Sequence, residues 1–170
     1  MKSTKPMKNR MPHRHKQGGF ALENFLLWMI LAAMAIVITI QTYSVGSAKL
    51  NSFAVVSAVN SIKAGAESVK TINNTGVSMA RLCGTTRNAV PMKICGASRD
   101  GTLTNPYGGN YTVIANDANL QLVDIAITQV DNQYIDGLAD ALAPYTAANC
   151  TQATGCAGIT VADNTITVTM

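Results

Sequence analysis

KQGGFALENFLLWMILAAMAIVITI, residues 16–40, is the stretch on which the reading of the whole chain turns. From Phe25 to Ile38 it contains no charge and no strong hydrogen-bonding group. With Phe20, Ala21 and Leu22 before it and Ile40 after it, the apolar run approaches the roughly 20 residues that a helix needs to cross a bilayer. Glu23 is its one acidic interruption and stands near its start. Upstream lie Lys2, Lys5, Lys8, Arg10, Arg14 and Lys16, with no acidic residue among them. A basic segment before the span and none close behind it predicts that the N-terminus stays in the cytoplasm and that the chain beyond about Val45 is exported.

The charge of the chain divides at the same place. Its 170 residues hold 13 Lys or Arg and 9 Asp or Glu, a formal net charge of +4. Removing the six leading basic residues leaves 7 against 9, a net of −2. The part after Phe20 is therefore mildly acidic, is expected to carry no basic patch, and does not look like a nucleic-acid binder. Ala, Thr, Val, Ile, Asn and Gly dominate while only 13% of residues are charged, which fits an extracytoplasmic, β-containing domain better than a cytosolic enzyme.

An ordinary secretory signal has a shorter apolar core with its cleavage site on the far side. Ser44, Gly46 and Ala48 could serve such a site, but the near side is more informative. Lys16-Gln17-Gly18-Gly19-Phe20-Ala21-Leu22-Glu23 sets a glycine pair between a basic leader and the apolar helix, with a carboxylate four or five residues on. This arrangement resembles a type IV prepilin. The resemblance implies that a membrane peptidase cuts after a glycine on the cytoplasmic side, that the new N-terminus is methylated, and that the apolar helix stays on the mature subunit. The family's glutamate is the fifth mature residue. Glu23 takes that place if the cut lies between Gly18 and Gly19; a cut between Gly19 and Phe20 gives the more usual large apolar first residue but makes Glu23 the fourth. Both remain open. The long leader is similar to those of the type IVb branch, which includes colonisation and conjugative thin pili.

The physical reason for Glu23 is that a lone carboxylate in a bilayer helix costs about 2.5 to 3.5 kcal/mol on insertion scales, so it is retained where it finds a partner. In a filament of stacked helices that partner is the α-amino group of a neighbouring copy, which exists only after cleavage. The resemblance thus implies as partners other copies of the same chain, a prepilin peptidase, an inner-membrane assembly machinery and, before assembly, membrane lipid. Its location is the bacterial inner membrane first and an extracellular filament afterwards. A minor pilin or a secretion-system pseudopilin would share these features, and a signal-anchored periplasmic binding module is a further alternative.

Helical periodicity continues past the membrane edge. Val55, Val59, Ile62, Ala66, Val69 and Ile72 form an apolar stripe, with Asn60, Lys63, Glu67 and Lys70 off it. A helix over residues 20–72 is about 80 Å long at 1.5 Å per residue, so its first half is expected to project from any domain of this size. Gly46 and its neighbours are the weakest helical stretch. Asn73-Asn74-Thr75-Gly76 should end the helix, and some thirty residues without a sustained period follow, which implies function or a disulfide tether. Strand-like runs follow at Tyr111–Ala115, Leu120–Val130 and Gly158–Met170, the last around a turn at Asp163-Asn164; Tyr134–Leu142 reads as a short helix stopped near Pro144. Asn105-Pro106-Tyr107-Gly108-Gly109 reads as a tight turn.

The expected fold is α+β: a long N-terminal helix whose second half packs on a small, mainly antiparallel sheet, in the manner of a pilin. The parts are a leader, 1–18; a membrane and filament-core helix, 19–45; an amphipathic half-helix, 46–72; and an exported sheet domain, 73–170. Cys83, Cys95, Cys150 and Cys156 all fall on the exported side, and an even count there suggests two disulfides. The short separations favour Cys83 with Cys95 and Cys150 with Cys156, although type IVb pilins more usually have one bridge and crossed pairings stay possible. A zinc site lacks Cys-x-x-Cys spacing, and His13 and His15 belong to the leader. No histidine follows Gly19, which removes Ser-His and Cys-His nucleophile pairs from the mature part. The Asp residues do not follow an EF-hand pattern. No cofactor, metal site or catalytic residue is expected.

Overall fold

The computed structural model describes residues 20–170 apart from 85 and 87; the leader and the Gly18-Gly19 pair lie outside the described residues. The first element, α1, runs Phe20–Val69. The chain divides into two compact units, the first ending at Tyr43 and the second comprising Ser44–Met170. In the first unit the described part is the opening half of α1. In the second, the remainder of α1 joins α2 (Met79–Leu82), α3 (Met92–Cys95), α4 (Asn132–Leu142) and four strands. The layout is α+β.

The strands β1 (Tyr111–Ala115), β2 (Val123–Ile127), β3 (Ile159–Ala162) and β4 (Thr165–Thr169) form one antiparallel sheet in the order β1-β2-β4-β3. Its register follows from alternation along each strand. Tyr111, Val113, Val123, Ile125, Ile127, Ile166 and Val168 turn to one side and are buried, while Thr112, Ile114, Asp124 and Thr167 turn to the other. Against the buried side lies the stripe Val55, Val59, Ile62, Ala66 and Val69, each at most 4% exposed. A period of 3.6 on the helix and of 2 on the strands thus brings two apolar surfaces into one core.

Two boundaries differ from the sequence expectation. The helix stops at Val69, and Ile72, read as part of the stripe, is 87% exposed. Beyond the last helical bond, from Lys70 N to Ala66 O, polar side chains capture the backbone: Asn73 Oδ1 accepts from Thr75 N, and Gln121 Nε2 donates to Ile72 O. The strand expected from Leu120 starts only at Val123, because Asn116 Oδ1 accepts from the amides of Ala118 and Asn119, and Asn119 Oδ1 from that of Gln121, closing a turn. At Asp163-Asn164 the chain does turn, joining β3 to β4.

The long segment after α1 is held by short helices and a disulfide rather than by strands. Val77, Met79, Leu82, Val90 and Ile94 reach the core from it. Where it crosses the helix the approach is close: a Cβ on Gly65 would stand 2.6 Å from Val90 Cγ2 and 3.2 Å from Ala89 O. Glycine at 65 is what lets this loop lie on the helix.

Candidate functional site

The opening half of α1 has no apolar interior to join. Its large side chains from Leu22 to Ile40 are all exposed, Trp28 at 67% and Ile38 at 64%, and they point to every side of the helix. A helix that is apolar all round belongs in a hydrocarbon or protein interior. This one, near the N-terminus, is long and apolar enough to be a membrane anchor. Thr39 and Thr42 donate to the carbonyls of Ala35 and Ile38 at 2.7 and 2.8 Å, so these two hydroxyls need no partner from lipid.

Glu23 stands in the first turn of α1 and is exposed. Phe20, the first described residue, is already helical. Gly18 and Gly19 lie outside the described residues, so the cleavage assignment rests on the sequence.

The four cysteines form two local disulfides. Cys83 bonds Cys95 across 12 residues, and Cys150 bonds Cys156 across 6. The first bridge ties the end of α2 to the end of α3 and is buried with them; the second closes a loop beside α4, where Asp140 Oδ1 accepts from Ala153 N at 2.8 Å. With both pairs bonded, no free thiol is left. Among the described residues no three His, Cys, Asp or Glu side chains gather as a metal-binding group.

The Asn105 segment is a turn built around a buried amide. Asn105 Oδ1 accepts from Tyr107 N and Gly109 N at 2.8 and 3.0 Å, and Nδ2 donates to Thr128 O at 2.7 Å. Gly108 has φ +82°, and a Cβ on Gly109 would come within 2.1 Å of Thr128 O, so both glycines are structural. Burial pushes the hydroxyls of Tyr107 and Tyr111 above the ordinary tyrosine range.

One feature of the second unit escapes the sequence pattern. A groove of about 480 Å³ opens between the start of its helix, at Lys49, Ser52 and Phe53, and the Tyr134, Gly137 and Ala141 side of α4. Phe53 is 73% exposed there. It sits off the stripe that faces the core, and a large apolar residue on the polar side of an amphipathic helix was the available signal. A smaller cleft of about 220 Å³ lies on the opposite flank of the helix, between Ser57 and Ser61 and the Lys93 and Tyr111 side chains. Comparison of the chain with protein-family models, with curated proteins and with solved structures finds no match.

Proposed function

We propose that the chain is the precursor of a structural subunit of the type IVb pilin kind, cleaved at the Gly18-Gly19-Phe20 junction and polymerised through its N-terminal helix into an extracellular filament. The observation that carries this reading is the opening half of α1, apolar on every side and exposed along its length, with one carboxylate near its head, four residues after a glycine pair that follows a basic leader. A plain membrane anchor needs the apolar length and the flanking charge but has no use for Glu23, which makes insertion less favourable.

The chemistry is that of assembly. In the membrane, lipid surrounds the helix and stores the subunit. Cleavage of the leader creates an α-amino group at the head of the helix, a few residues from Glu23. On stacking, the amine of one copy meets Glu23 of another in a medium of low dielectric, where a pair of opposite charges attracts strongly and an unpaired one is costly. Mispaired registers leave a buried charge alone, so the pair sets the axial offset. Close helix packing supplies most of the cohesion.

Glu23→Gln tests this reading, because it keeps size and hydrogen bonding while removing the charge. The expected result is loss of most filament from the sheared surface fraction, with the oxidised chain still present in the membrane. Unchanged filament yield would contradict the register role, and a chain that never leaves the membrane fraction in its unaltered form would favour an anchored periplasmic module.

A further inference from the structure

The net charge of −2 after the leader conceals a division. Residues 44–99 carry seven Lys or Arg against a single acidic residue, Glu67; residues 100–170 carry seven Asp and no Lys or Arg. Among the described residues no ion pair joins the two sets. Where Lys70, Arg81 and Arg99 hydrogen-bond, they donate to the backbone carbonyls of Gln121, Gly76 and Cys83.

The fold sends parts of these sets to opposite edges of the sheet. α2 packs on β1, and α4 packs on β3 and β4, which is the other edge of the order β1-β2-β4-β3. The Cys83–Cys95 bridge draws α3 to α2, and Gly101 links both to β1 through Cys95 O and Tyr111 N. Arg81, Lys93 and Arg99 therefore belong to the elements that join the sheet at its β1 edge, or shoulder, Arg81 beside Lys70 at the end of α1 and Lys93 beside Ser57 and Ser61. The one carboxylate there, Asp100, keeps its charge while held by the Ser98 hydroxyl and the Thr102 amide, and three cations against it leave this side net positive. Two apolar side chains stand exposed on the same shoulder, Met92 at 49% and Leu103 at 70%. On the far flank, α4 buries Ile135, Leu138, Ala139 and Leu142 and turns Gln133, Tyr134, Gly137 and Ala141 to the groove. Helical spacing leaves Asp136 and Asp140 on the remaining outer side, with Asp131 just before the helix. Lys63 lies along α1 and Lys70 just past its end beside Arg81, while Lys49 stands in the wall of the groove itself.

This arrangement dictates the symmetry of any contact between heads. A two-fold contact through either flank alone sets like charge against like, whereas shoulder against flank sets opposite charges together. The latter contact is heterologous and leaves each copy with one free shoulder and one free flank, so it propagates. Resting on the polymerisation reading, we propose that neighbouring copies dock through their heads in this way. The basic β1 shoulder of one copy, with Met92 and Leu103, seats against the acidic flank of α4 and the apolar groove of the next. The charges select the register and the apolar side chains fill the groove.

Sign exchange in the full-length chain tests it. The readout is sheared filament relative to total oxidised chain, with intact mass confirming both disulfides in every variant. Arg81→Glu with Lys93→Glu, and separately Asp131→Lys with Asp136→Lys, should each lower the yield by about tenfold or more, since like charges now face each other. Combining all four should restore most of it. The gentler pair Lys93→Glu and Asp136→Lys, alone and together, should follow the same pattern with smaller changes. A double reversal without effect, or a combined variant no better than either parent, overturns the docking. Loss of filament on Glu23→Gln together with indifference to charge reversal overturns this contact and leaves polymerisation standing; no filament from the unaltered chain overturns both.

Discussion

The two halves of α1 are made of the same kind of residue and differ in what their apolar side chains meet. From Leu22 to Ile40 every large side chain is exposed, whereas Val55, Val59 and Ile62 are wholly buried against the sheet. The later half finds its partner within its own chain, so its apolar residues need cover only one face. The opening half finds none there and is apolar on all faces, which is the pattern of a segment whose partner is lipid or another copy. One helix thus has its second half committed to folding and its first half reserved for something outside the chain.

The sharpest way to break that contrast is to make the same change in both halves. Ile62→Ala removes a fully buried side chain and should destabilise the head by about 2 to 5 kcal/mol in thermal unfolding followed in detergent. Ile36→Ala, at a position 59% exposed, should leave the same transition in place. Equal losses would mean that the first half also belongs to the folded core.

A smaller effect separates the two disulfides within the head. Replacing Cys83 and Cys95 by Ser should cost about 2 to 4 kcal/mol, and replacing Cys150 and Cys156 less. The first bridge closes 12 residues and the second 6, a difference of about 0.6 kcal/mol from loop closure alone. Cys83 and Cys95 are also buried in the core at 0% and 1% exposure, so their loss loosens α2 and α3 as well. A second bridge worth as much as the first would show that the loop beside α4 matters more than its closure length suggests.

The gentlest perturbation is alkaline pH. Burial raises the Tyr111 hydroxyl above its ordinary value of 10.0, with the nearby Tyr107 adding to the effect. A group that keeps its proton longer when folded than when unfolded contributes fully below the unfolded value, and that contribution is lost as pH rises from there towards the folded one. Head stability should therefore decline above about pH 10, and Tyr111→Phe should flatten the decline. Because this residue belongs to the second unit, changes in the opening half of α1 should leave the slope alone.

What the sequence revealed follows the same contrast. The membrane-length run and the stripe from Val55 to Val69 were legible because each depends on one kind of neighbour, lipid or sheet. Ile72 was misread because side-chain bonds from Asn73 and Gln121 end the helix, and Leu120 because Asn116 and Asn119 close a turn; neither competition shows in hydrophobic spacing. The local pairing of the cysteines was within reach from their separations. Of the groove only the off-stripe Phe53 gave a hint, since its other wall, with Tyr134, forms when α4 comes to lie beside α1. The charge division was legible in principle, but a net count averaged it away. Which edge of the sheet each set occupies required the strand order.

The most direct test of the central claim is intact and N-terminal peptide mass spectrometry of the chain from sheared surface filaments. The account predicts a mature chain beginning at Gly19 or Phe20, methylated on its amine, retaining Glu23 and both disulfides. Filaments containing a chain that still begins at Met1, or one cut beyond the apolar helix near Ser44 to Ala48, would contradict it.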